Sequence, residues 1–158
     1  MMMTMRWRLF LSAVILGYLF ARGNERIINE PQYLPIRGHA IINGAKIELE
    51  IAETPLEQYR GLMFRNDLPK HRGMFFPIYP RQMAQFWMKN CSIPLDIVFI
   101  RDARVVKIVE HASPCWQDPC PLYSSDQPVD GVLEIQAGSA RYLNLKIGQT
   151  IQLYELLN

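Results

Sequence analysis

Apolar and polar residues along this chain change over in short runs, and most of the runs have the period of a strand. Ile47, Leu49 and Ile51 alternate with Lys46, Glu48 and Glu50, which predicts a strand with one buried and one wet face. His39 to Ile42 leads into it through Asn43-Gly44, the dipeptide best suited to a two-residue hairpin turn. Further strands are predicted at Gly73 to Ile78, Ala84 to Asn90, Leu95 to Ile100, Val105 to Val109, Asp130 to Ile135 and Thr150 to Tyr154. Arg101-Asp102-Ala103-Arg104 forms a turn between two of them, and Gly148 opens the turn into the last. Thr54-Pro55-Leu56-Glu57 has the form of a helix start: a hydroxyl to accept from a free amide, proline at the first helical position, and a glutamate to close a capping box. Leu56, Tyr59 and Met63 share one face of that helix, which should end near Arg65 ahead of Asn66-Asp67-Leu68-Pro69. A second short helix is expected over Ala137 to Leu143, with Ser139 as a candidate cap. Roughly seven strands and two short helices in ~120 residues predict a mainly β (α+β) domain, a small closed or nearly closed β-barrel with helices at its ends.

The domain so defined runs over residues 38–158. Residues 24–37 are polar, contain Pro31 and Pro35, and are expected to be a linker. Residues 1–23 have the form of a signal peptide or signal anchor: Arg6 and Arg8 precede the uncharged run Leu9 to Ala21, which suits a signal h-region and is short for a membrane span. Ala21-Arg22-Gly23 puts small residues at the −3 and −1 positions of a cut after Gly23, with an arginine between them. Cleavage and retention as an inner-membrane anchor over residues 9–21 both stay open. The net charge of +2 belongs to this leader. Without Arg6, Arg8 and Arg22, the 17 basic residues fall to 14 against 15 acidic ones, so the domain has no electrostatic footprint for nucleic acid.

Cysteine use agrees with export to the periplasm or cell envelope. Cys115 and Cys120 lie in Ser-Pro-Cys-Trp-Gln-Asp-Pro-Cys-Pro-Leu, where a proline-driven turn can bring the two within disulfide distance. In an oxidising compartment they should bridge. The rival reading is half of a metal site with His111, but no second Cys or His pair completes a tetrahedral set. Cys91 is the odd thiol, expected as a small buried hydrophobe.

Four stretches together resemble a known family. They are Gly61-Leu62-Met63-Phe64-Arg65, Gly73-Met74-Phe75-Phe76, the run from Phe86-Trp87-Met88-Lys89-Asn90 through Pro94-Leu95-Asp96 to Phe99, and Val132-Leu133-Glu134 with Ala137-Gly138. In order and spacing they resemble the domain of unknown function 192, over about residues 38 to 156. The Cys115–Cys120 loop is similar to a branch of that family with an added cysteine pair, and Cys91 stands where members often carry threonine or another small residue. The resemblance implies a compact, β-rich, often exported domain, and no particular activity.

Catalytic signatures such as Gly-x-Ser-x-Gly, His-Glu-x-x-His or a Walker loop are missing from the sequence. What remains is polar residues set in apolar strands. Asp96 stands between Leu95 and Ile97, and Glu134 between Leu133 and Ile135. A carboxylate at a core-facing position must be paired or hydrogen-bonded, or its pKa rises. Three readings follow. Asp96 and Arg65 are structural polar groups; or Arg65, Trp87, Lys89, Asn90, Asp96 and Glu134 line a cleft for a small polar or glycan ligand; or Asp96 and Glu134 form a carboxylate pair for glycoside hydrolysis. A fourth assigns soft-metal (copper) binding to Met63, Met74, Met83 and Met88 with His39, His71 and His111, though methionine in strands usually fills core gaps. The reading adopted is an exported, monomeric binding or accessory domain with no cofactor, no assigned metal, and membrane contact only through an uncleaved leader. Cell fractionation is expected to recover the chain in the envelope, with carbonate extraction separating an anchored from a cleaved form. Full-length protein in the soluble cytoplasm would refute export.

Overall fold

The computed structural model describes residues 29–155. The chain divides at Glu30/Pro31 into two compact units. The first, with the expected leader, falls almost wholly outside the described residues, and so does the start of the expected linker. Among the described residues no helix is long and apolar enough to cross a membrane.

The second unit is mainly β. Nine strands are described: β1 (Ile36–Ile42), β2 (Ala45–Ile51), β3 (Arg72–Gln82), β4 (Gln85–Trp87), β5 (Leu95–Arg101), β6 (Arg104–Ala112), β7 (Leu122–Ser124), β8 (Val129–Gln136) and β9 (Gln152–Glu155). Seven of them form one curled sheet in the order β6-β5-β8-β3-β2-β1-β9, while β4 and β7 pair separately. The sheet comes close to closing. The amide of Val105 at the start of β6 donates to the Gln149 carbonyl (2.8 Å), Gly148 donates to Val105 (2.7 Å) and Ile151 to Ala103 (2.8 Å), so the segment before β9 covers the far edge. The expected nearly closed barrel is what the chain builds.

Burial on both faces explains the composition of the central strands. One apolar cluster, including Ile42, Ile47, Leu49, Val98, Ile100, Leu133 and Ile135, fills the inside of the curl. A second, including Leu62, Leu68, Met74, Phe76, Met88, Leu95, Ile97, Phe99 and Val132, lies on the other face beneath the loops and the small β4–β7 sheet. A strand with both faces covered loses its alternation, as β5 and β8 do.

Local signals were obeyed closely at turns. Asn43 and Gly44 take φ of 49° and 85°, as a type I′ turn requires. Helix α1 (Pro55–Arg60) has the full capping box, with the Glu57 amide 3.2 Å from Thr54 Oγ1 and the Thr54 amide 2.9 Å from Glu57 Oε2. The backbone amides of Thr54 and Glu53 hold the Glu57 carboxyl below its ordinary range.

Four expectations are corrected. Helix α1 stops at Arg60 and not near Arg65, leaving Leu56 and Tyr59 about half exposed. The cause is Gly61, at φ 45°, together with the Gln32 amide, which donates to the Glu57 carbonyl (2.7 Å) and the Gly61 carbonyl (3.0 Å). A side chain at Gly61 would meet the strained φ and, 3.4 Å away, the Phe76 ring. The end of the expected linker is not a free tether: Gln32 is buried and Leu34 packs on the second cluster. The Ala84 to Asn90 strand shortens to Gln85–Trp87, and a strand unforeseen in the cysteine loop, β7, pairs with it. Finally, Ser139 does not cap helix α2 (Ser139–Tyr142), whose N-cap position is Gly138. Its free Ala140 amide is taken by Asp96 Oδ2 at 2.8 Å.

Glu50 is the fifth departure, and the one with most consequence. Its strand pattern puts it on the wet face, yet it is 3% exposed and meets the equally buried Arg65 in a bidentate pair of 2.7 and 2.5 Å. Arg65 Nε also donates to the Gln32 carbonyl (2.9 Å), Glu50 Oε2 accepts from the Leu34 amide (2.7 Å), and the Tyr33 ring lies 4.5 Å from the guanidinium. Removing one partner of such a pair leaves an uncompensated buried charge. Arg65→Ala is therefore expected to cost about 3–5 kcal/mol in chemical denaturation. A loss under about 1 kcal/mol, the range of an exposed pair, would contradict the buried arrangement.

Candidate functional site

Helix α1 stands over the middle of β3, held there by the Gln58 side chain, whose Nε2 donates to the carbonyls of Ala52 (3.1 Å) and Pro77 (2.9 Å). Opposite it runs β4. Between them lies a groove of about 350 Å³ lined by Gln58, Tyr59, Phe76, Ile78, residues 82–85, Phe86 and Trp87. Its aromatic wall is rigid: Phe86 sits edge-on to Phe76 (5.0 Å) and to Phe99 (6.1 Å). A smaller recess of about 30 Å³ shares Gln58, Tyr59, Phe76, Phe86 and Trp87 with the groove and adds Arg60, Lys89, Cys91 and Glu134.

The disulfide loop supports this wall from behind. Cys115 and Cys120 are bridged, with Cα atoms 5.8 Å apart, so their sulfurs are not thiolate ligands and the half-metal-site reading is withdrawn. The loop docks on the turn after β4 through the Cys115 amide to the Met88 carbonyl (3.0 Å) and the Asn90 amide to the Cys115 carbonyl (2.9 Å). Lys89 Nζ bonds Asp118 of the loop at 2.7 Å and lies 5.3 Å from the Trp87 ring centroid.

At the recess, Glu134 is the exceptional group. It is 5% exposed, and among the described residues its carboxyl has no hydrogen-bond partner. Its cross-strand neighbours are Met74 on β3 and Ile97 on β5. Burial pushes its pKa from the ordinary 4.5 up to about 8, against the opposing pull of Arg65. Burial, and then the charge of Glu134, push the adjacent Cys91 thiol up to about 12. At neutral pH the recess thus holds an undissociated acid and a thiol, and Cys91 is free and buried as expected.

Of the six sequence candidates, the structure brings Trp87, Lys89 and Glu134 together. Arg65 is committed to Glu50 and reaches Glu134 only through its field. Asn90 contributes main chain, its carbonyl accepting from the Phe64 amide at 2.7 Å. Asp96 is elsewhere: fully buried, it accepts from the amides of His111 (2.9 Å) and Ala140 (2.8 Å). On the β5–β8 ladder Asp96 is directly opposite Ile135, and Glu134 opposite Ile97. Because successive strand residues point to opposite faces, Asp96 and Glu134 face opposite sides of the sheet. They cannot flank one glycosidic bond, and the carboxylate-pair expectation is corrected. Of the copper candidates, Met63, Met74 and Met88 are buried in the core, Met83 is half exposed, and His39 stacks on Tyr154 at 4.9 Å. Gln58, Tyr59, Phe86 and Cys91 were not foreseen as lining. The capping box at Thr54 was the one signal that could have placed Tyr59 at a helix end.

The domain of unknown function 192 (DUF192) family model, described as Uncharacterized ACR, matches residues 39–153. A crystal structure of a protein of unknown function from Novosphingobium aromaticivorans DSM 12444 is 37% identical, with a TM-score of 0.67 over 73% of this chain and 83% of that one. A protein from Sinorhizobium meliloti 1021, described as a candidate transcription regulator, is 30% identical, with a TM-score of 0.66 over 73% of this chain and 91% of that one. A comparison with curated proteins finds no match.

The raised Glu134 pKa has a consequence for stability. Below pH 4.5 folded and unfolded chains both hold the proton; between 4.5 and about 8 only the folded chain does. Folding stability contributed by this group is therefore full at acid pH, falls as pH rises through that window, and levels off above about 8. Each pH unit is worth about 1.4 kcal/mol at most. Glu134→Gln is expected to remove this dependence and to stabilise the protein on the order of 2–4 kcal/mol more at pH 8 than at pH 5. Parallel unfolding curves of parent and variant across that range would show Glu134 ionised in the fold.

Proposed function

The chain belongs to the DUF192 family, whose description assigns no activity, and from the geometry of its groove we propose that it is an exported binding domain of the cell envelope for a small polar ligand, a glycan unit being the class that suits it best. One observation carries this reading: a buried acid without a hydrogen-bond partner among the described residues lines a recess that shares its aromatic walls, Phe76, Phe86 and Trp87, with the groove. Buried polar groups are ordinarily satisfied by the protein itself. Small-ligand sites combine apolar walls with a few convergent polar groups, and Trp87, Phe86 and Tyr59 offer flat faces while Gln58, Lys89 and Glu134 supply the polar ones. Envelope location is supported by the arginine-flanked apolar leader and by the Cys115–Cys120 bridge, since such bridges persist in oxidising compartments. The regulator description of the Sinorhizobium protein is not carried over, because residues 23–158 hold 14 basic against 15 acidic residues.

The test is a titration of the folded domain with oligosaccharides released from envelope glycans, followed by amide chemical shifts. Saturable shifts are expected around Trp87, Phe86 and Gln58. Trp87→Ala should keep the fold and weaken binding by about tenfold or more, an energy of about 1.4 kcal/mol. Binding that Trp87→Ala leaves intact, or shifts confined to another face, would overturn the assignment.

A further inference from the structure

We propose that the recess takes the N-acetyl arm of an amino sugar, its amide bridging the Glu134 carboxyl and Gln58 Oε1 and its methyl on the apolar lining, while the sugar ring lies in the groove against Trp87. This rests on the groove being a binding site and names the chemical class that enters it. The recess, at about 30 Å³, has room for a small terminal group and not for a ring, whereas the adjoining groove of about 350 Å³ holds a ring with space around it. A ligand must therefore put a small arm into the recess and leave its body outside.

Three features of the recess decide what that arm carries. The first is Glu134, more than nine-tenths buried and without a hydrogen-bond partner among the described residues. The second is Gln58, which lines recess and groove alike. Its Nε2 donates to two carbonyls, those of Ala52 (3.1 Å) and Pro77 (2.9 Å), and a primary amide has two N–H donors and no more. What Gln58 has left for a ligand is its Oε1, an acceptor that no donor meets among the described residues. The third is apolar surface, supplied by Leu62, Met63 and Phe76 beside the Cys91 thiol.

Charge does not select an anion here. Lys89 is paired with Asp118 at 2.7 Å, Arg65 is paired with Glu50, and Arg60 is engaged as well. A carboxylate, moreover, has no hydrogen to give Gln58 Oε1. A hydroxyl or an ammonium has one, but neither brings an apolar end for Leu62, Met63 and Phe76, and an ammonium must also leave water. An acetamido group carries a carbonyl, an N–H and a methyl, one for each of the three features. Burial favours the undissociated form of Glu134, whose O–H donates to the carbonyl and leaves the N–H to Gln58.

The experiment titrates the folded domain, at mildly acidic pH, with the methyl glycosides of N-acetylglucosamine, glucosamine and glucose, following the Trp87 indole N–H and neighbouring amides. The three share one ring and differ in carrying acetamido, ammonium or hydroxyl at the same carbon. The N-acetylglucosamine glycoside is expected to bind at least about tenfold more tightly than either of the others. Its acetyl methyl should show nuclear Overhauser contacts to Leu62 and Phe76, a readout that needs no variant. Glu134→Ala, checked for native circular dichroism, should lose the preference; Gln58 is left unchanged because it also holds α1 in place. Glucosamine or glucose matching the N-acetyl sugar at Trp87 would overturn the acetamido assignment and leave the groove reading intact. So would an acetyl methyl in contact with neither Leu62 nor Phe76. A preference that survives Glu134→Ala would remove Glu134 from the site and overturn the bridge. If none of the three shifts Trp87 while envelope oligosaccharides do, the acetamido assignment alone falls. If the oligosaccharides also fail, both readings fall.

Discussion

Taking a carboxylate out of water is expensive unless a cation and the right donors come with it, and Glu50 is out of water. Arg65 meets it with two parallel hydrogen bonds, and the pair also bonds the Gln32 carbonyl, through Arg65 Nε, and the Leu34 amide, through Glu50 Oε2. Much of the surrounding geometry follows from those bonds. They fix residues 32–34 against the domain, and from there the Gln32 amide reaches the carbonyls of Glu57 and Gly61 and ends α1. Ending α1 at that point leaves Gln58 and Tyr59 as one wall of the groove. The same guanidinium lowers the cost of a charge on Glu134 without bonding to it.

Among the described residues three buried carboxyl groups have three different solutions, and the difference separates scaffold from site. Glu50 has a cation. Asp96 has two backbone amides, one at the His111 bend of β6 and one at the start of α2, so it ties a strand and a helix to β5. Glu134 has neither, and its environment keeps it protonated. A donor held ready in an apolar surround is stronger than the same donor in water, which makes the unmatched member of the three the one suited to recognising something from outside.

The disulfide loop extends the same division of labour. Its bridge closes a short loop, so its effect on the unfolded chain is small. Its placement matters more. Cys115 is hydrogen-bonded to Met88 and Asn90, and Asp118 holds Lys89 over Trp87. A feature that the sequence shows as a sign of compartment is, in the fold, the backing of a groove wall.

Local chemistry determined a good deal by itself. Asn43-Gly44 dictated a hairpin because few other dipeptides accept two positive φ values. Thr54 to Glu57 dictated a helix start, since cap and partner lie within four residues. The alternation of β2, the apolar runs of β5 and β8 and the cysteine spacing sufficed for a β-rich, nearly closed barrel with a bridged loop. Tertiary structure decided everything that depended on which polar residue met which. Glu50 was assigned to the wet face because no local pattern reveals that Arg65, 15 residues on, comes to cover it. Ser139 looked like a cap because Asp96, 44 residues distant from Ala140, could not be seen to reach that helix. Asp96 and Glu134 looked alike, each a carboxylate between apolar neighbours, and only the register that sets Asp96 against Ile135 put them on opposite faces. Side-chain period and turn conformation are properties of a few adjacent residues, whereas the satisfaction of a buried charge is a property of whatever the folded chain brings next to it.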